Sequence, residues 1–330
     1  MLTNEELAEK VKAILTERSK KAMELAKQSV LKEQIKHERL REALCYFAEE
    51  IWYDAAHPTL LSLACEAVGG NPDATIDVAA GLVVLTGAAD IHDDIIDESK
   101  TKEDKLTVYG KYGKDIAIIA ADVMWLKGVQ MLNEACNHLP SDNRQVILKL
   151  AQQAFFDIGS AEAKEANLRG NIDLKPEEFL EVIRLKVSIA TASALIGAVI
   201  GNGTPQQIEN LAQYGETFAV LMTIREEFIN MFEPEELKNR FKNECLPLPI
   251  LCAFQDAVLK KKILELLNKD EITKADLNEM LEQVYAAPKV RELGKYMRLL
   301  VKEATENLHY QNESRTTLIQ LLGFTSQDIP

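Results

Sequence analysis

Ala88-Ala-Asp-Ile-His-Asp-Asp-Ile-Ile-Asp-Glu98 gathers five carboxylates, Asp90, Asp93, Asp94, Asp97 and Glu98, into nine residues. On a helix the spacings 90/94, 93/97 and 94/98 are i,i+4 and 90/93 and 94/97 are i,i+3, so all five crowd neighbouring faces. Each like-charge pair costs roughly 0.2–0.5 kcal/mol, and the negative end of the helix dipole adds to the penalty. The sum, about 1–2 kcal/mol, calls for a positive partner at this spot.

A second acidic helical motif, Glu226-Glu227-Phe-Ile-Asn230, echoes the spacing of Asp93-Asp94-Ile-Ile-Asp97. Two such motifs facing one another across a bundle would hold hard divalent cations, and Mg²⁺ keeps positions open for a substrate phosphate. A diphosphate bound there becomes a good leaving group, its developing charge neutralised by metal and by Lys or Arg. An apolar cavity below would take a hydrocarbon tail. The stretch Ser99–Tyr112, expected as a polar loop, brings Lys100, Lys102, Lys105 and Lys111 directly behind the first cluster. The sequence holds no Gly-rich phosphate loop, no His/Cys metal signature and no Ser-His-Asp arrangement.

The element that must position the first cluster runs from Pro72 to about Glu98 and is apolar on nearly all sides: Ile76, Val78, Leu82, Val83, Val84, Leu85, Ile91 and Ile95. A helix hydrophobic all round is central and surrounded by others. Asn71 as N-cap and Pro72 at the first helical position start it. Almost every other segment also shows the 3.6-residue period, and no alternating strand is found. Thr3 and Glu6 form a capping box at the first helix. A second helix is expected from Leu31 to Tyr53, stopped near His57-Pro58, and others at about 113–137, 142–168, 176–201 and 205–232, with shorter helices beyond. With no Ser/Gly/Pro-rich linker, residues 1–330 read as one all-α domain.

Apolar residues make up 47% and charged residues 27% of the chain, a soluble, helix-rich balance. A net charge of -14 with scattered basic residues excludes a nucleic-acid partner. Five cysteines without Cys-x-x-Cys spacing read as free thiols in a reducing compartment. The N-terminus lacks a signal-peptide pattern, and near-continuous apolar runs of about a dozen residues fall short of the roughly 20 that cross a bilayer. The expected location is the cytoplasm.

Asp93-Asp94-x-x-Asp97 on a buried helix resembles the first aspartate-rich motif of the trans-isoprenyl diphosphate synthases, the family of farnesyl and geranylgeranyl diphosphate synthases. The likeness extends over most of the chain. Arg39-Leu-Arg41 is similar to the family's Gly-Lys-Arg-x-Arg-Pro segment, Ala117 to Leu126 to its Ala-x-x-Ala-Gly-Asp stretch, and Ile183-Arg-Leu-Lys186 to the helix ending in Lys-Thr. Tyr214-Gly215 to Asn230 sits where the second aspartate-rich motif falls.

The resemblance implies an isoprenoid synthase-type helical bundle around a central apolar cavity, Mg²⁺ as cofactor, an allylic prenyl diphosphate as substrate, and a homodimer. In that family both motifs hold metal, an allylic diphosphate ionises, and isopentenyl diphosphate attacks the carbocation. Carried over by position, Asp93, Asp94 and Asp97 are the metal ligands, with Glu226, Glu227 and Asn230 as weaker ones. Lys102 and Lys186 are the catalytic cations that bind and stabilise the departing diphosphate. Arg39 and Thr223 fall at substrate-binding positions, and Ala88 and Ala89 floor the hydrocarbon cavity, leaving room for a long tail. His92 is expected in a structural hydrogen bond, and Arg225 could pair with either carboxylate of the second motif.

The departures from the pattern are concentrated on one side. Positions that would hold isopentenyl diphosphate read Glu38, Arg39, Thr86 and Glu103, so three of four are lost and two are reversed in sign. A Lys-to-Glu reversal beside a diphosphate is a repulsion of at least ~1 kcal/mol even at the dielectric of water. The expectation is therefore a prenyltransferase acting on an allylic diphosphate with an altered acceptor. The alternative is a non-catalytic regulatory subunit in a heteromer with a second prenyl synthase.

Overall fold

The computed structural model describes residues 3–102, 104–269, 271–310, 312–327 and 329. The chain forms two compact units: residues 1–156, 189–215 and 310–318 make the first, and 157–188, 216–309 and 319–330 the second. Apart from a two-stranded hairpin, the described regular structure is helical.

In chain order the first stretch holds α1 (Asn4–Leu31), α2 (Glu38–Tyr46), α3 (Ala56–Ala67), α4 (Ile76–Ile96), strands β1 (Thr101–Lys102) and β2 (Lys105–Leu106), α5 (Val108–Tyr112) and α6 (Lys114–Cys136). The Thr3/Glu6 capping box opens α1 as its sequence dictates. A single 3-10 turn, Pro72–Thr75, begins at Asn71, whose side chain accepts from Asp73 N, and leads into α4. Every residue from Val78 to Ala88 is buried, as an all-round apolar pattern requires.

The partner of α4 is chiefly α6, and glycines let the two backbones close. A Cβ on Gly81 would stand 2.8 Å from Leu132 N, and one on Gly128 would stand 2.6 Å from Leu85 Cγ. Each helix thus yields a side chain where the other presses in.

The expected helix over 31–53 is interrupted. Residues 32–37 form a break, and α2 passes into a π turn, Phe47–Ile51, closed by Trp52 N donating to Phe47 O at 2.8 Å. Apolar periodicity does not register one extra residue per turn, so the sequence could not reveal it. The turn stacks Trp52 on Phe47, ring centroids 5.3 Å apart, and lays the indole against α4 at Gly87. A Cβ on Gly87 would sit 2.7 Å from Trp52 Nε1, and Trp52 is only 2% exposed, with no room to swing away. Gly87→Ala should lower stability by about 1–3 kcal/mol despite alanine's better helix propensity. A urea melt that is unchanged or improved would contradict this packing.

Two further boundaries differ from expectation. Ser99–Tyr112, read as a loop, contains the β1–β2 hairpin and α5; its strands are too short to show alternation. The helix expected over 176–201 is two, α8 (Pro176–Lys186) and α9 (Ser188–Ile200), with α7 (Ser141–Leu168) before them. At the break, Ser188 Oγ donates to Leu185 O at 2.7 Å, a side-chain bond that competes with the helix ladder.

There follow α10 (Pro205–Ile229), α11 (Pro234–Asn243), α12 (Leu248–Ala253), α13 (Ala257–Leu267), α14 (Lys274–Ala286), α15 (Pro288–Glu306) and α16 (Glu313–Thr325). In the second unit α12 is buried throughout and packs on α8 and α15. Two 25-residue helical stretches, Pro72–Ile96 and Pro176–Ile200, are long and apolar enough to cross a bilayer by length and composition alone, but 72% and 67% of their apolar windows are buried inside the fold. All five cysteines are free; burial pushes the Cys245 and Cys252 thiols up to about 12, as inert core thiols.

Candidate active site

The first acidic cluster lies where α4 ends. Asp97 N donates to Asp93 O at 2.9 Å, Glu98 turns into the left-handed region (φ 56), and Ser99 N reaches back to Asp94 O at 2.9 Å. This six-to-one closure stops the helix and sends the chain straight into the hairpin. Thr107 then pins the hairpin's base, its Oγ1 donating to Ser99 O at 2.8 Å and its N to Lys100 O at 3.0 Å.

The hairpin carries the expected cation into place. Lys102 Nζ stands 3.8 Å from Asp94 Oδ1, the lysine largely exposed and the aspartate buried. Lys105 does not join it; its Nζ donates to Glu50 O at 2.6 Å. Burial pushes the Asp94 carboxyl up to about 7; Lys102 opposes this, and Asp93, Asp90 and Asp97 add to it. Burial likewise lifts Asp90 to about 6, with Lys102 opposing and Asp54 and Asp93 adding. Asp90 is exposed on the last turns of α4. Carboxylates that raise one another in this way fit a divalent cation, which would relieve all of them.

Among the described residues no three His, Cys, Asp or Glu side chains converge as a ready metal cage. Asp93 and Asp94 suit Mg²⁺ in another way, since that ion is commonly held by one or two carboxylates and completed by water and phosphate. Asp97, at the helix cap, is half-buried. His92 serves structure: its Nδ1 accepts from Trp125 Nε1 at 3.1 Å and its Nε2 lies 3.4 Å from Asp122 Oδ1.

Beside Asp90 stands a group that the sequence reading missed. Asp54 Oδ2 accepts from His57 Nδ1 at 2.7 Å and from Thr86 Oγ1 at 2.8 Å, and Asp54 Oδ1 accepts from His57 N at 3.2 Å. The π turn after α2 sets Asp54 just ahead of α3, and Thr86 comes from α4. Asp54 three residues before His57, at a helix start, was the available signal; Pro58 had been read only as a helix stop. Burial works against both charges, but His57 and Thr86 hold the Asp54 carboxyl below its usual range. Asp54 likewise outweighs burial to raise His57 above 6.5.

The pair gives a signed pH expectation. A lowered carboxyl contributes stability above its ordinary value and loses it as pH falls through the lowered one; a raised imidazole contributes below its ordinary value and loses it as pH rises through the raised one. The difference in melting temperature between wild type and Asp54→Asn/His57→Gln should therefore be largest between about pH 4 and 6.5 and narrow on both sides. A difference flat from acid to alkaline pH is the contrary result.

Other expected positions on the first unit fall as follows. Arg39 is exposed and donates to Tyr112 O at 3.0 Å. Ala88 is fully buried in the core with Trp52 and Ile91, while Ala89 is half-buried. Glu38 is exposed at the start of α2, and Glu103 lies outside the described residues.

On the second unit, α10 carries the other acidic motif. Glu226 is exposed and Thr223 half-buried, whereas Glu227 is 7% exposed. Both Glu227 oxygens accept from Arg240, Oε1 from Nη1 at 2.8 Å and Oε2 from Nη2 at 3.1 Å, and Oε2 also accepts from Leu248 N at 2.9 Å. Asn230, oriented so that each amide atom meets a complementary partner, accepts from Arg240 Nη1 at 3.3 Å and donates to Glu226 O at 3.3 Å. Arg225, which the sequence offered as the motif's cation, instead donates to Gln327 O at 2.5 Å and lies over the Phe324 ring. No local pattern marks Arg240, because it reaches Glu227 only after α11 has folded back. Lys186, at the end of α8, is ion-paired with Glu162 at 3.0 Å and with Glu165.

An all-α bundle whose central helix ends in aspartates, with a lysine-bearing hairpin behind it, is the isoprenoid synthase type of fold. A solved geranylgeranyl pyrophosphate synthetase from Pyrococcus horikoshii Ot3 shares it, with a TM-score of 0.83 at 21% identity over 97% of this chain and 99% of that one. The chain belongs to the polyprenyl synthetase family, whose model matches residues 55–284. Arg39 precedes that match. A short chain isoprenyl diphosphate synthase from Methanothermobacter thermautotrophicus is 27% identical over 211 residues, 60% of this chain and 64% of that protein, so the chain spans less than two thirds of this relative. A geranylgeranyl diphosphate synthase from Methanosarcina mazei is 25% identical over 286 residues, 81% of this chain and 83% of that protein.

Proposed function

We propose that the chain is a Mg²⁺-dependent prenyltransferase that ionises an allylic prenyl diphosphate and passes the prenyl group to an acceptor other than isopentenyl diphosphate, as a cytoplasmic homodimer folded as one domain. The observation that carries this reading is the end of α4, where Asp94, with Asp93 beside it, lies 3.8 Å from Lys102 on an exposed hairpin. Asp93 and Asp94, with Asp97 at the cap, would hold the cation, which when bound supplies charge neutralisation for the departing diphosphate. Lys102 adds a positive charge on a segment anchored at its base, so it can meet a phosphate oxygen without moving the helix. Lys186 reaches a diphosphate only by leaving Glu162 and Glu165.

The altered acceptor follows from the Asp54–His57–Thr86 group beside Asp90. Two carboxylates against one imidazole leave a net negative charge there, which repels a second diphosphate and favours a neutral or cationic acceptor. A second reading, a non-catalytic subunit that regulates a competent synthase, is favoured by one observation: Lys186 and Glu227 are already occupied by protein partners.

The test is incubation of purified protein with Mg²⁺ and labelled geranyl, farnesyl or geranylgeranyl diphosphate, with and without isopentenyl diphosphate. Diphosphate release that Asp93→Ala abolishes is the expected result. No release from any of them, with wild type and Asp93→Ala alike, overturns the enzymatic reading. Chain growth on isopentenyl diphosphate at ordinary rates overturns the altered acceptor. Co-purification with a second synthase that gains activity from this chain would establish the subunit reading.

A further inference from the structure

We infer that Arg240 is the resident cation of the second acidic motif, so that the Glu226-Glu227-x-x-Asn230 segment is closed to metal and acts as a fixed ion pair. The inference concerns the second motif alone and stands whether or not the first binds metal.

Three features of the arrangement carry it. Both oxygens of Glu227 are engaged by the guanidinium fork, and Oε2 has a further bond from Leu248 N, so three of the carboxylate's four acceptor sites are already taken by protein. The Asn230 carbonyl, the motif's remaining inward donor, faces the same Nη1 at 3.3 Å. Arg240 is itself 4% exposed and locked from the other side, its Nε donating to Cys245 O at 2.9 Å with Glu244 Oε2 at 3.6 Å. A planar five-donor fork matched to a carboxylate is a permanent charge that cannot be titrated away, unlike a lysine.

Local sequence builds this arrangement. The 3-10 turn Asn230–Phe232 and Pro234, at the first position of α11, reverse the chain, and α11 then brings Arg240 back to Glu227. Pro247 and Pro249 hold the following segment where Leu248 N meets Oε2. A metal could bind Glu227 only by displacing the buried guanidinium from its two-pronged pair, leaving Arg240 the longer contact to Glu244 at 3.6 Å. Glu226 alone, exposed on α10, is no cage.

The experiment compares full-length wild type, Glu227→Gln, Glu227→Gln/Arg240→Met and Asp93→Asn by melting in EDTA and by Mn²⁺ titration followed by electron paramagnetic resonance. Glu227→Gln should lower the melting temperature in EDTA by about 5 °C or more, because a buried charge loses its partner. The double variant should recover most of that loss. An unchanged or raised melting temperature for Glu227→Gln would mean that the carboxylate was waiting for a metal, and overturns the inference. The Mn²⁺ dissociation constant of Glu227→Gln should stay within about twofold of wild type, whereas a weakening of about fivefold or more overturns the inference. Asp93→Asn reports on the other motif: if it too leaves Mn²⁺ binding unchanged, the first-motif reading fails while the melting result still decides the role of Arg240.

Discussion

Asp94→Ala is expected to reduce diphosphate release from an allylic substrate by about a thousandfold while leaving the metal-free protein as stable as wild type or more so. The two halves of that expectation have one origin. Asp94 is 6% exposed, and burial together with three neighbouring carboxylates holds its proton affinity up. Without a cation the ionised side chain opposes folding, so its removal relieves the helix end. With a cation bound it would be the most enclosed of the three aspartates, and losing one such electrostatic contact typically costs about 10²–10³ in rate. Steady-state release assays and a melt in EDTA give the two readouts. Activity within tenfold of wild type would show that α4 does not carry the reacting diphosphate. Lys102→Ala, with an exposed side chain at 3.8 Å, should cost about tenfold by the same assay.

Arg240→Ala should have the largest effect on stability, about 3–5 kcal/mol, because it strands the buried Glu227 carboxylate with only Leu248 N to bond it. Against a typical total of about 5–15 kcal/mol, that threatens the fold at growth temperature. Arg240→Lys keeps the charge but loses the two-pronged geometry and should fall between. Urea midpoints order the three proteins; a loss under about 1 kcal/mol for the alanine variant would show that water already reaches the pair.

These two residues also mark what could be read from the chain. Asp94 was legible because its spacing with Asp93 and Asp97 is local and its helix, but for Thr86, is apolar from Val78 to Ala88. Arg240 was not, since it meets Glu227 through a turn whose path depends on tertiary packing, and Arg225 beside the motif was the nearer candidate. Lys102 was placed by a hairpin of two-residue strands, too short for any periodicity to reveal. Thr86 stood out as a departure among the positions for isopentenyl diphosphate, but its partner Asp54 depends on the π turn after α2, which leaves no pattern in residue type. Where an arrangement rests on spacing within one helix, the chain discloses it; where it rests on how a turn redirects the backbone, only the folded geometry does.

The glycine contacts between α4 and α6 bear on how the protein comes apart. Gly81 against Leu132 and Gly128 against Leu85 bring two backbones so close that neither helix can separate without exposing a long apolar seam. Their amides should be the last to exchange with deuterated solvent, while frayed surface helices exchange first. The aspartates at the tip of α4 are thus mounted on the slowest-opening part of the chain. A partly unfolded molecule would keep its first acidic cluster in order long after its outer helices had begun to breathe.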